Sequence, residues 1–417
     1  MNIPNLTAFQ DTLRRRSYAP LLLIIFTTFC LTGFSAQACD FERVKFDAQF
    51  DAGRLDACEM VTTGAIEETH QTHFILSVNP ENTPINPSPW YAFSAVAKGA
   101  DHTISVSIVA SDAKPRYTPK VSTDKQHWTP IDFHVDSEGL HFELALSSEP
   151  IYVAAQEIIV NDDYQAWMQK DAIQSLFTIE QVGTSVQERP IYGMVATQEQ
   201  NKEWLLIVGR QHPPEITGAI ALFAFVEKMS ANSELQQAFF KRFNVLVVPM
   251  INPDGVVAGN WRHNINGVDL NRDWGKFTQP ETTTTFNYFR SRLKQDHRLV
   301  FALDFHSTQQ DIFYTMPEEY GLVPADFAQR WIEQLKEQRL GSFTVRERPG
   351  SSPGRGVFKQ FIADNFRVHS VTYEMGDNTE RPLIKHIAHK SAEIMMQQML
   401  ATPAEAFIPK AIDESVD

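Results

Sequence analysis

"WLLIVGRQHPPEITGAIALFAFVEKM" (204–229) is the stretch on which the fold turns. It opens with "WLLIVG" (204–209), an apolar run of strand length with no alternation, as expected of a strand buried on both faces. "EITGAIALFAFVEKM" (215–229) then follows with the spacing of a buried helix. The link between them sets His212 and Glu215 three apart around Pro213 and Pro214. Each proline holds φ near about −65°. Two readings stay open here: a metal-binding pair on a stiff turn, or a proline-rich bend that carries two polar residues.

The same alternation continues downstream. "FNVLVVPM" (243–250), "RLVFALDF" (298–305) and "SVTYEM" (370–375) read as further buried strands, and "ADFAQRWIEQLKEQ" (325–338) as a helix between them. The pattern predicts an α/β domain over residues 166–405, with a largely parallel or mixed sheet and helices on both faces. Upstream the period changes to two. "HTISVSIVAS" (102–111), "GLHFELALS" (139–147) and "PIYVAAQEIIV" (150–160) are strand-like, and turn-rich stretches such as "NPENTPINPSP" (79–89) separate them. An all-β sandwich over residues 39–165 is expected from this. An acidic tail, residues 406–417, closes the chain.

Arg14–Arg16, the apolar stretch 19–34 and the small-residue segment "SAQAC" (35–39) have the layout of a secretory signal ending at Ala38. An uncleaved anchor is the other reading, but a span needs about 20 apolar residues and this stretch is shorter. A lipid on Cys39 is a further possibility, although Ala36 stands where a lipobox usually has Leu. The net charge of −14 becomes −16 without residues 1–38, a sign that disfavours nucleic acid and anionic membranes. Cys39 and Cys58 would remain, and an exported chain would pair them; two free thiols are the alternative. An exported, periplasmic or secreted protein with no stable membrane insertion is the expectation.

In open α/β sheets, ligands bind beyond the carboxyl ends of the strands. Each predicted strand ends in residues able to do chemistry: His212 and Glu215 after the first, "INPDGVVAGNWRHNINGVDLNRDW" (251–274) after the second, His306 in "DFHS" after the third, Glu374 in "TYEMGDN" after the fourth. With 13 histidines, about one His-x-x-Glu is expected by chance, so that pair alone decides little. Two His and one Glu, with a position left for water, form a known catalytic zinc set.

Those segments resemble the zinc metallocarboxypeptidases. "NPDG" (252–255), "NWR" (260–262), "GVDLNRDW" (267–274), "DFHS" (304–307) and "YEMGD" (373–377) follow the family's order. A sandwich ahead of the catalytic domain is similar to the cytosolic carboxypeptidase branch and its bacterial relatives, as is the spacing of 91 residues from Glu215 to His306. The resemblance implies one Zn²⁺ per chain on His212, Glu215 and His306, which would lower the pKa of a bound water from about 15.7 to about 7. It implies Glu374 as general base and Arg262 as the group that stabilises the oxyanion. Asn271 and Arg272 would grip the terminal carboxylate of a peptide substrate, and Asp269 would orient His212.

Two departures bear on specificity. The mobile tyrosine of the digestive enzymes has no counterpart in "PGSSPGRGVFKQF" (349–361). The position about fifteen before the base is Lys359, with Arg355 nearby, and a cation there would favour an acidic terminal residue; the alternative is that both face water. The reading is thus an exported zinc carboxypeptidase. The rivals are a zinc deacylase or cell-wall peptide amidase, and a non-catalytic binding protein on the same scaffold.

Overall fold

The computed structural model describes residues 38–61, 72–111, 113–338 and 340–409. The expected signal segment, apart from Ala38, and the tail beyond residue 409 lie outside the described residues. No helix among the described residues is long and apolar enough to cross a membrane.

Two sheets form first. In chain order their strands are β1 (Ala38–Asp40), β2 (Val44–Asp47), β3 (Ala57–Val61), β4 (His73–Val78), β5 (Ala92–Ala97) and β6 (His102–Ala110). β7 (Lys120–Ser122), β8 (Thr129–Pro130), β9 (His134–Val135), β10 (Leu140–Leu146) and β11 (Ile151–Ala154) complete them. One sheet runs β1-β2-β5-β11-β7-β8 and the other β3-β4-β6-β10-β9. The period-two pattern is the cause: alternate residues of β4 and β10 turn inward, and Phe46, Phe74, Phe93, Val106 and Leu144 fill the space between the sheets. Cys39 and Cys58 are disulfide-bonded and tie β1 of one sheet to β3 of the other.

Helices α1 (Asn161–Met168) and α2 (Asp171–Gln174) lead into the third sheet. The expected strand 150–160 is strand only to Ala154, because its end turns toward α1. The sheet starts with β12 (Thr178–Thr184), β13 (Pro190–Ala196) and β14 (Glu203–Gly209). Then come α3 (Ile216–Ser230), α4 (Glu234–Phe240), β15 (Phe243–Val248), α5 (Pro253–Val257), α6 (Pro280–Arg292) and β16 (Arg298–Thr308). β17 (Ile312–Thr315), α7 (Phe327–Lys336), β18 (Glu347–Pro349), α8 (Phe358–Phe366), β19 (Ser370–Gly376) and α9 (Arg381–Ala401) finish the fold.

The strand order is β12-β13-β15-β14-β16-β19-β17-β18, parallel through β15, β14, β16 and β19 and antiparallel where β12, β13 and β17 join. The sheet is therefore mixed. β14 is buried along its whole length, and its residues divide between two cores. Leu205 and Ile207 pack with residues of α3, α4, α7 and α9, while Trp204, Leu206 and Val208 pack with Phe289 of α6 and Phe358 of α8. Helices cover both faces, which is why the strand reads as an uninterrupted apolar run.

Candidate metal centre

The carboxyl ends of β14, β16 and β19 lie side by side. The parallel register sets Gly209 beside Phe305 and His306 beside Glu374. Helix α3 starts almost on top of β16, since a Cβ on Gly218 would lie 2.4 Å from the His306 carbonyl oxygen. Only glycine allows that approach. It brings Glu215, just ahead of the helix, against His306.

The turn carrying His212 is fixed from behind as well as by its prolines. Arg210, at φ 51°, donates from Nε to the Pro213 carbonyl at 2.9 Å and from Nη2 to Ile159 O at 3.0 Å. Glu215 then sits between two imidazoles: His212 Nδ1 is 2.8 Å from its Oε1 and His306 Nδ1 is 2.7 Å from its Oε2. One ligand atom from each of the three lies within 4.8 Å of the others, and all three residues are buried. The outer ring nitrogens are held too. His212 Nε2 lies 2.9 Å from Asp269 Oδ1, and His306 Nε2 lies 2.7 Å from Asp304 Oδ2. A carboxylate behind each ligating imidazole is the arrangement that orients a metal-bound histidine. The donor set fits zinc.

The electrostatics agree with a cation site. Burial alone would raise the Glu215 carboxyl, but His212 and His306 hold it well below the usual carboxylate range. Burial disfavours charge on His306, yet Asp304 and Glu215 outweigh it and push that group well up. Burial also opposes charge on Asp269, which His212, Arg262 and Arg272 nevertheless keep ionised. Glu374 behaves oppositely. Burial pushes its carboxyl up to about 7, and Oε2 is buried with no hydrogen-bond partner.

His212, Glu215, His306 and Glu374 line one cleft of about 410 Å³ with Arg262, Asn271 and Arg272. Arg262 gives Nε to Asp269 Oδ2 at 2.7 Å. Asn271 accepts the Phe358 N–H at 2.9 Å, and Arg272 donates to the Asn271 carbonyl at 2.6 Å. Lys359 is buried in the cleft wall, where Nζ donates to Thr315 O at 2.6 Å and Gly350 O at 2.5 Å. Burial lowers its pKa to about 8.

Arg355 is a correction. It is exposed and is not among the residues that line the cleft, so it faces water. Arg348 of β18 lines the cleft in its place. The tyrosine missing from 349–361 has a neighbour elsewhere: Tyr314 of β17 lines the cleft close to Glu374. Sequence reading also missed Asp304, although its place two residues before His306 on one strand face was a usable signal.

The sandwich reaches the cleft too. Arg116 donates to both oxygens of Asp377, at 2.7 and 3.2 Å, and lines the cleft with Asn86. Trp261 of "NWR" belongs to the sandwich core and donates Nε1 to Trp90 O at 3.1 Å. Glu81 accepts the backbone N–H groups of Trp261, Arg262 and His263 at 2.7, 3.0 and 2.6 Å.

The zinc carboxypeptidase family profile matches residues 164–414, more than half of the chain. The chain belongs to the zinc carboxypeptidase family. It is 24% identical over 262 residues to cytosolic carboxypeptidase 6 of Mus musculus, covering 55% of this chain and 46% of that one. Against cytosolic carboxypeptidase 3 of Bos taurus it is 23% identical over 315 residues, 66% of this chain and 30% of that one. The chain thus spans less than half the length of these relatives.

Solved zinc carboxypeptidase-like structures match its fold. A metallo-carboxypeptidase from Pseudomonas aeruginosa, in complex with (2-guanidinoethylmercapto)succinic acid, superposes with a TM-score of 0.68 at 20% identity, over 85% of this chain and 98% of that one. A putative carboxypeptidase A from Shewanella denitrificans gives 0.67 at 20% identity over the same shares.

Proposed function

We propose that this zinc carboxypeptidase family member removes C-terminal residues from peptides. The observation that carries the reading is the buried, unpartnered Oε2 of Glu374, in one cleft with the His212–Glu215–His306 cluster and Arg262. Zinc held by those three residues would supply a water that ionises near neutral pH.

The chain's own residues do the rest. Arg272 and Asn271 bind the substrate's terminal carboxylate, for which a guanidinium offers two parallel hydrogen bonds. Arg262, steadied at Nε by Asp269, stabilises the negative charge that develops on the scissile carbonyl oxygen. Glu374, whose pKa is pushed up to about 7, accepts the proton of the attacking water and returns it to the amine nitrogen as the C–N bond breaks. Asp269 and Asp304 hold the two imidazoles in orientation.

A preference for acidic terminal residues is supported by Lys359, Arg348 and Arg116 in the cleft lining. Export is supported by the N-terminal pattern and the Cys39–Cys58 disulfide, which persists in oxidising compartments. The sandwich (39–165) and catalytic (166–405) segments would act as one unit through Arg116, Glu81 and Trp261.

The test uses zinc-loaded protein on paired substrates: peptides ending in Glu, Phe or Lys, and acyl-amino acids. Amino-acid release from peptides, abolished in Glu374→Gln with zinc retained, supports the reading. Hydrolysis of acyl-amino acids alone, or undiminished release by Glu374→Gln, overturns it.

A further inference from the structure

A second group of metal-ligating side chains lies on the five-stranded sheet, apart from the cleft. His134 on β9 stands directly opposite His141 on β10 in the antiparallel register. Their rings stack with centroids 4.7 Å apart and planes at 22°. Asp136, just past β9, places Oδ1 2.8 Å from His141 Nε2. Backbone N–H groups of Glu138 and Gly139 fix that oxygen, at 2.7 and 3.2 Å.

Ligand atoms of the three residues lie within 4.8 Å of one another, a closeness that among the described residues is otherwise met by His212, Glu215 and His306. The surface group has a support of its own. His141 Nδ1 is 2.7 Å from the hydroxyl of buried Ser107, which lies 3.1 Å from His73 Nε2. This fixes the ring and turns Nε2 outward, as a partner behind a ligating imidazole does. His134 is exposed and its side chain makes no hydrogen bond among the described residues, so its ring nitrogens are available. An ordinary Asp–His pair would account for Asp136 and His141, but not for a second imidazole stacked on the first at its cross-strand position.

We propose that His134, Asp136 and His141 form a surface site for a divalent transition ion of the Zn²⁺, Ni²⁺ and Cu²⁺ class. Imidazole and carboxylate donors suit these ions. Three protein ligands leave the remaining positions to solvent. Because two of the three residues are exposed, the ion exchanges readily and binds more weakly than in the buried cluster.

The experiment titrates Zn²⁺ by calorimetry into tag-free full-length chain that already carries one zinc. The expected result is a second equivalent with micromolar affinity, weakened at least about tenfold in His134→Ala, as loss of a ligand costs no less than loss of a supporting group. His134 is exposed on a two-residue edge strand, so that variant keeps its fold, its first zinc and its peptidase rate. Asp136→Asn should weaken the same event. No second equivalent up to millimolar zinc, or one that both variants retain unchanged, overturns the proposal.

Discussion

Glu81→Gln tests whether the sandwich positions Arg262, the group proposed to stabilise the oxyanion. The carboxylate, 6% exposed, takes N–H donors from three consecutive residues, Trp261 to His263. Oε1 serves Arg262 and His263, and Oε2 serves Trp261. A carboxamide has one acceptor oxygen. If that oxygen keeps Arg262 and His263, the NH₂ group faces the Trp261 N–H and leaves it unsatisfied, at a cost of about 1–3 kcal/mol. Changing two charge-assisted bonds to neutral ones removes about 0.5–1 kcal/mol each. The clamp thus loses about 2–5 kcal/mol, and relief comes from movement of the 260–263 backbone. A shift near 1 Å at a catalytic group can cost about a hundredfold in rate. The assay is steady-state kinetics on a peptide substrate, with zinc content and the denaturant midpoint measured on the same preparation. We expect kcat to fall about 10- to 100-fold with KM changed by a few-fold and zinc retained. A lowered unfolding midpoint with wild-type kcat would refute the reasoning, since the clamp would then support only the fold.

The other predictions concern the cleft and its frame. With Lys359 titrating near 8, its cation is present below that pH and lost above it, so the kcat/KM ratio for Glu-ended over Phe-ended peptides should decline as pH rises from 7 to 9.5; a flat ratio would remove Lys359 from specificity. The same shift means that the unfolded chain holds this proton between about pH 8 and 10.5 while the folded chain does not, so the Lys359 contribution to stability rises with pH across that window. Replacing Pro213 and Pro214 with Gly should release about 0.4–1 kcal/mol of restriction per site, and weaken zinc affinity more than the global fold; equal losses, measured by competition with a chelator and by unfolding, would deny the turn its role. Removing the disulfide with Cys39→Ser and Cys58→Ser should destabilise the sandwich by about 3 kcal/mol for a loop of this size, read from urea unfolding followed by tryptophan fluorescence, and an unchanged midpoint would contradict that.

Residue type and spacing determined much of this protein by themselves. The change from period two to uninterrupted apolar runs separated the sandwich from the mixed α/β sheet, because a strand open on one face must alternate and one covered on both need not. The ends of four such runs also named His212, Glu215, His306 and Glu374, because parallel strands bring their carboxyl ends together. What only the tertiary structure decided lies across long sequence separations. That Arg348 rather than Arg355 lines the cleft depends on the pairing of β18 with β17, which sets Arg348 opposite Tyr314. That Glu81 clamps the Arg262 segment from 181 residues away depends on packing. A carboxylate's partners are set by which backbone N–H groups are buried beside it, and no local pattern of the chain encodes that.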